Sequence, residues 1–386
     1  MSATAKTFFR IRMLPALHGD CLWIEYGAGK RTRRVLIDGG PIGAWNALES
    51  QLKSLPAGDR RIELVVLTHV DTDHVDGLVR LFAEPPPWPF TVRDVWFNGW
   101  RHMEQAHGLL GGRQGEFFSA LLAQRLDAGQ WNRAFDGAAV VVRDDAPLPR
   151  IELAGGLALT LLSPTPAKLD RMRDAWRKDV RDFDPGDLDA AWAVLARQKK
   201  YLPADGLLGS TPELDELLEK QSRPDNAAAN GSSIAFLAEL AVPESAPASR
   251  SASGDPAVKS ALFLADAHPD VVCESLRRLL DERGQGTLHV DAVKVAHHGS
   301  KANTTDELMS LVRSPKFLVS TNGGIFRHPD AEAVQRIVAR SLVQPPLLVF
   351  NYRCATNEAW GEADLQRELG FEALFAEGDD GITIEL

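Results

Sequence analysis

Four side chains able to ligate a metal ion, His69, Asp71, Asp73 and His74, fall within six residues of the run Thr68-His69-Val70-Asp71-Thr72-Asp73-His74. Imidazole nitrogen and carboxylate oxygen together suit zinc, manganese or iron(II). No cysteine lies nearby, which speaks against a structural zinc, since such sites usually take thiolates. Asp is also a common helix cap, and Asp73 stands where a helix would begin. Random clustering of ligand-type residues at this density is rare, however, so ligation is the better reading.

Two further groups resemble the first in placement. Asp266 ends the apolar stretch 261–265, and His297-His298 follow the strand-like Val293-Lys294-Val295-Ala296. Alone, Asp266 reads as a loop or cap residue, and the His pair is no more a ligand than a bystander. Together, three apolar strand ends that each carry a ligand-type residue can converge on one rim of a sheet.

The elements that must position these groups are legible in outline. Residues 62–67 form a short continuous apolar run, the pattern of a buried strand. Val75, Leu78, Val79 and Phe82 then follow helical spacing, and Pro85-Pro86-Pro87 stops that helix. Before them, 8–14, 22–26 and 34–38 read as a β-meander with a turn at Gly27-Ala28-Gly29, and 44–55 reads as a helix closed by Pro56 and Gly58. Strands are expected at 92–98, 140–143, 157–162, 233–240, 259–265, 292–295, 317–320, 347–352 and 381–386. Helices are expected at 117–126, 168–200, 271–283, 305–313 and 331–341. The Pro- and Ser-rich stretch 243–254 reads as a flexible hairpin excursion, with limits near 241 and 257. Meander, strand–helix units, strands and strand–helix units again imply two packed sheets with helices outside, a four-layer αββα sandwich.

The chain has 386 residues, 44% hydrophobic, enough to bury a sizeable core. A net charge of −10 argues against strong nonspecific binding to phosphate backbones. It leaves room for a nucleic-acid substrate held by metal and a local basic groove. Cys21, Cys273 and Cys354 are odd in number and far apart, as reduced thiols would be. With no transmembrane or secretory pattern, a cytoplasmic protein without a membrane partner is expected.

The combination of residues 68–77 with Val295-Ala296-His297-His298-Gly299-Ser300 resembles the metallo-β-lactamase signature, and more narrowly the soluble β-lactamase-like domain of the competence protein ComEC and its stand-alone relatives. His18-Gly19-Asp20, Leu36-Ile37-Asp38-Gly39-Gly40, Ser163-Pro164, Asn230-Gly231-Ser232-Ser233 and Phe326-Arg327-His328-Pro329 resemble further marks of that group. The likeness runs from about Phe8 to Leu386. It implies one metallo-β-lactamase-like domain over 1–386, with insertions at about 99–140 and 166–229. It implies His69 and Asp71 at one metal position, Asp73, His74 and one of His297 or His298 at the other, and Asp266 bridging. Strand parity with Val293 and Val295 favours His297. Two departures stand out. Asp71 replaces the usual second His, and no ligand-like His appears at 230–233, so one metal position is better supplied than two.

The resemblance further implies zinc, one or two ions, with manganese as the alternative, and hydrolysis of a phosphoester in nucleic acid or a nucleotide. Asp73 and Asp266 would orient the attacking water. Lys301, Arg327 and His328 would neutralise developing charge. Asp20, Asp38 and Thr68 are candidates to hydrogen-bond the ligands. Two other readings remain open: a hydrolase of a lactam, lactone or thioester, and a partner-gated or non-catalytic metal-binding module.

Overall fold

Alternating burial turns the opening residues into antiparallel neighbours. Thr7–Met13, Leu22–Ala28 and Arg31–Ile37 pair in chain order. The computed structural model describes residues 6–85, 88–103, 112–127, 129–202, 227–242, 257–378 and 380–386. The meander is the centre of a six-stranded sheet ordered Ile382–Glu385, Thr7–Met13, Leu22–Ala28, Arg31–Ile37, Leu64–Val66 and Val95–Trp96. Its last two joints are parallel. An eight-stranded sheet runs Glu372–Phe375, Leu347–Phe350, Lys316–Val319, Ala292–Lys294, Val258–Phe263, Ala235–Ala241, Leu157–Ser163 and Arg150–Glu152. Its first four joints are parallel and its last three antiparallel.

The facing surfaces of the two sheets share one core, in which Phe9, Ile11, Ile24 and Trp96 meet Leu159, Leu161, Phe236 and Leu262. The opposite face of the first sheet, with Trp23, Leu36 and Val65, is covered by the helices Trp45–Lys53, Thr72–Phe82, Arg113–Arg125 and Pro166–Asp179. Val272, Leu276, Leu308, Val334 and Ile337 bring Pro269–Arg283, Asp306–Leu311 and Ala331–Arg340 against the core of the second sheet. The protein is therefore an αββα sandwich. Among the described residues no helix is long and apolar enough to cross a membrane.

Several local expectations change. Residues 140–143 are not a strand: the Asn98 side chain bonds both the N–H and the carbonyl of Val140, replacing a ladder partner. The stretch 168–200 is not one helix but Pro166–Asp179 and Leu188–Leu195, broken around Pro185-Gly186, where φ at Gly186 is 87°. The helix expected at 305–313 ends at Leu311, and Val312-Arg313 pair as a short strand. Most of the 241–257 excursion lies outside the described residues. At its base Val242 N–H donates to Ala257 O at 2.8 Å.

One close approach fixes the helix that matters most. Gly77, in Thr72–Phe82, lies directly on Gly39, just past the end of Arg31–Ile37. Gly77 N–H donates to Gly40 O at 2.9 Å, and Gly39 N–H donates to His74 O at 2.8 Å. A Cβ at Gly77 would sit 2.0 Å from Gly39 O, so only glycine permits this seat. Gly77→Ala is expected to destabilise the fold by about 1–3 kcal/mol or more through overpacking. Gly58→Ala, where nothing lies within 4 Å, is expected to be near neutral. Urea denaturation of both variants checks this, and equal midpoints would refute the seat.

Candidate metal centre

Strand ends bring the ligand-type residues together. Leu64–Val66 runs into His69, Val258–Phe263 into Asp266, and Ala292–Lys294 into His297-His298, while Asp20 lies in the connection entering Leu22–Ala28. His74 Nε2 stands 3.8 Å from Asp73 Oδ2 and 3.6 Å from Asp266 Oδ2. His298 Nε2 stands 3.5 Å from Asp73 Oδ2 and 3.8 Å from Asp266 Oδ2. These imidazole–carboxylate separations are close to the edge of about 3.4 Å expected between ligand atoms around a tetrahedral zinc. His69 Nε2 extends the cluster, 3.9 Å from Asp266 Oδ2 and 3.6 Å from Asp71 Oδ2.

Each of these three imidazoles has its other nitrogen committed. His74 Nδ1–H donates to Asp38 Oδ2 at 2.8 Å, and His298 Nδ1–H to Ser320 O at 2.9 Å. Thr68 Oγ1–H donates to Asp38 Oδ2 at 2.7 Å, so Thr68 Oγ1 accepts from His69 Nδ1–H at 3.0 Å. Asp38 also accepts from Thr68 N–H at 2.8 Å. The hydrogen bonds anticipated for Asp38 and Thr68 are thus present. What remains is three buried Nε2 atoms and Asp266 Oδ1, all without a hydrogen-bond partner. Buried polar atoms are rarely left so. The set fits a divalent cation, and among the described residues two groups can hold one: His69, His74 and Asp266, and Asp73, His74 and His298. His74 Nε2 has one lone pair, so it serves a single ion.

Charge points the same way. Asp20, Asp38, Asp73 and Asp266 are all buried here, and Lys294 is the buried ammonium among them, with Nζ donating to Asp20 Oδ2 at 2.7 Å. Burial works against a charged His298, yet Asp266 and Asp20 outweigh it and raise its pKa to about 10. His74 is likewise raised well above its ordinary value, burial being overcome by Asp266, Asp73 and Asp38. For Asp266, burial is overcome by His297, His298 and His74, which hold its carboxyl well below the carboxylate range. Protons on imidazole thus balance the carboxylates in the metal-free protein, and a bound cation displaces them.

Asp73 is not the helix cap. The cap position belongs to Asp71, which makes no capping bond to the helix N–H groups. Strand parity does not reach the His pair, because both residues take left-handed backbone, φ 47° at His297 and 53° at His298. His298 is the fully buried one. His297 is partly exposed, with Nε2 3.6 Å from Asp266 Oδ2 and Nδ1 3.1 Å from Asn303 Oδ1. His328 packs its ring 5.3 Å from that of His297. Lys301 is not brought in: it is exposed and pairs with Glu332 at 3.0 Å. Arg327 is exposed on the loop before His328. His102 lies elsewhere, its Nδ1 accepting from Gly99 N–H at 3.0 Å, and His107 lies outside the described residues. At the expected place of a further His, Ile234 N–H donates to Thr68 O at 3.0 Å, which sets the buried Asn230–Ser233 turn beside the metal loop.

Two contributions escaped the sequence reading. His18 is buried beside the cluster, and burial, with the nearby His298 and His74, lowers its pKa although Asp73 opposes this. It stood in the His18-Gly19-Asp20 mark, where no site role was read for it. The segment 166–202 braces the metal helix: Tyr201 OH donates to Asp76, and Lys200 Nζ donates to the same carboxylate at 3.1 Å. Trp176 is fully buried, close to Val70 and to Gly112 and Gly115.

Residues 14–189 match the family described as the metallo-beta-lactamase superfamily, and the αββα sandwich is consistent with that match. The matched stretch contains His69, Asp71, Asp73 and His74 and stops before Asp266 and the His pair, which the fold brings against it. Comparison with curated proteins gives no match.

Two outcomes follow. His298 has a folded pKa of about 10 against 6.5 when unfolded, so its proton stabilises the metal-free protein fully below 6.5 and that contribution is lost as pH rises through about 10. In chelator, Tm should therefore fall across this window more steeply than in the metal-loaded protein; parallel profiles would contradict this. Lys294→Met, which leaves Asp20 buried without its cation, should cost about 3–5 kcal/mol in urea denaturation, and Lys294→Met with Asp20→Asn should recover much of it. A single variant as stable as the parent would refute the pairing.

Proposed function

We propose that this protein is a metal-dependent hydrolase acting on a phosphodiester in nucleic acid or a nucleotide. The observation that carries the hydrolase reading is the set of buried, partnerless donor atoms on His69, His74, His298 and Asp266, gathered from three strand ends and the helix Thr72–Phe82. Preference for a phosphoester is supported by the likeness of 68–77 and 295–300 to the ComEC-type domains. Zinc suits the mixed imidazole and carboxylate donors, and manganese is the alternative.

On this reading Asp73, His74, Asp266 and His298 hold one ion, and His69 with Asp71 supplies a weaker second position. When bound, the ion supplies Lewis-acid polarisation and brings the pKa of water toward neutrality. The remaining work belongs to the chain. Asp38 fixes the ring of His74 and, through Thr68, that of His69, so their lone pairs face inward without reorganisation. Asp73 and Asp266 present carboxylate oxygens that orient the attacking water. His328, whose ring packs on that of His297, would donate to an oxygen of the substrate as charge develops there. Lys301 has no part in this, being engaged with Glu332 at the surface.

The purified zinc and manganese forms should hydrolyse bis(p-nitrophenyl) phosphate. His69→Ala and Asp266→Ala should abolish turnover while the circular-dichroism spectrum stays unchanged. Full turnover in both variants would remove the site from the reaction. Hydrolysis of a lactam, lactone or thioester with no phosphodiesterase activity would overturn the substrate class.

A further inference from the structure

We propose that Phe326 and His328 form a stacking platform for the planar base of a nucleotide whose phosphoester faces the donor cluster. This rests on the phosphodiester reading above. Phe326 is one of the few large apolar side chains left in water among the described residues, 45% exposed. Its ring lies near-parallel to that of His328, with centroids 6.3 Å apart and planes at 24°. His18 closes one side edge-on, 6.0 Å from Phe326. On its inner side His328 meets His297 at 5.3 Å, and His297 Nε2 is 3.6 Å from Asp266 Oδ2. A run of rings thus leads from solvent to the bridging carboxylate.

The exposure of Phe326 is built into the loop. Asn322 N–H donates to Leu17 O at 2.7 Å, and Gly324 N–H to Asn322 Oδ1 at 2.9 Å. Thr356 Oγ1 donates to His328 O at 2.8 Å, and Asp330 N–H to Gly299 O at 3.0 Å. Between the two rings Arg327 holds a left-handed backbone, φ 57°, a conformation that costs energy for a residue with a side chain. A tethered loop that keeps a phenyl ring in water beside a cation centre suits a ligand with a flat apolar face next to an anionic group. A nucleobase joined through sugar to phosphate has that form, and bases stack on aromatic faces with little regard to their identity. The exposed guanidinium of Arg327 gives a flanking phosphate a cation on a chain whose net charge is −10.

The test is calorimetric titration of the zinc-loaded protein with adenosine 5′-monophosphate and, separately, with ribose 5-phosphate. The parent protein should bind the nucleotide more tightly than the sugar phosphate. Phe326→Ala should weaken the nucleotide about tenfold, the scale of one stacked base, and leave the sugar phosphate unchanged. Phe326→Trp should restore the difference. Equal affinities in the parent, equal loss of both ligands in Phe326→Ala, or binding of neither would overturn the platform. Turnover of bis(p-nitrophenyl) phosphate by the same preparations separates the two claims. Turnover without nucleotide preference removes only the platform, whereas nucleotide preference without turnover removes the hydrolase reading and leaves the platform standing.

Discussion

Buried charge is the constraint on which the rest of this structure depends. Asp20, Asp38, Asp73 and Asp266 lie in the interior between strand ends, and Lys294 offsets one of them. Isolated carboxylates are not tolerated at such depth, so the remainder must be met by protonated imidazole or by a metal ion. The raised pKa values of His74 and His298 are the sign of that demand. The same demand explains why the imidazole Nε2 atoms carry no other hydrogen bond. A cation of charge two offsets two of the three remaining charges and engages the Nε2 lone pairs at once.

The fold meets this constraint with rigid mounts. Strands from both sheets end just before His69, Asp266 and the His pair, so the backbone entering each is fixed by the ladders, while Asp73 and His74 are carried by the helix Thr72–Phe82. Gly39 and Gly77 let the helix bearing Asp73 and His74 lie directly on the end of Arg31–Ile37. Asp38, at the tip of that strand, then reaches Thr68 and His74 with one carboxylate. Lys294 and Asp20 join the second sheet to the first just below His298.

Much of the layering was legible because burial on a sheet writes itself as alternation or as short apolar runs. The run at 62–67, the meander and the ligand-type residues after three apolar strands are local patterns, and the fold places those residues within a few ångströms of one another. What the sequence could not show depends on tertiary contact. The choice between His297 and His298 turns on two successive left-handed residues, which break the parity a strand would keep. The brace from Tyr201 to Asp76 joins residues 125 apart. Residues 140–143 look like a strand because Val140 and Val142 are buried, but Asn98 takes the backbone bonds that a neighbouring strand would have made. The engagement of Lys301 with Glu332 likewise depends on a helix thirty-one residues away.

Metal stoichiometry tests the central claim most directly. Inductively coupled plasma mass spectrometry on protein purified without chelator should find at least one zinc or manganese per chain. That metal should be lost in His74→Ala and in His298→Ala, and kept in Lys301→Ala. A parent chain that carries no divalent metal and takes none up on dialysis against zinc or manganese would contradict the assignment, as would full occupancy in both histidine variants.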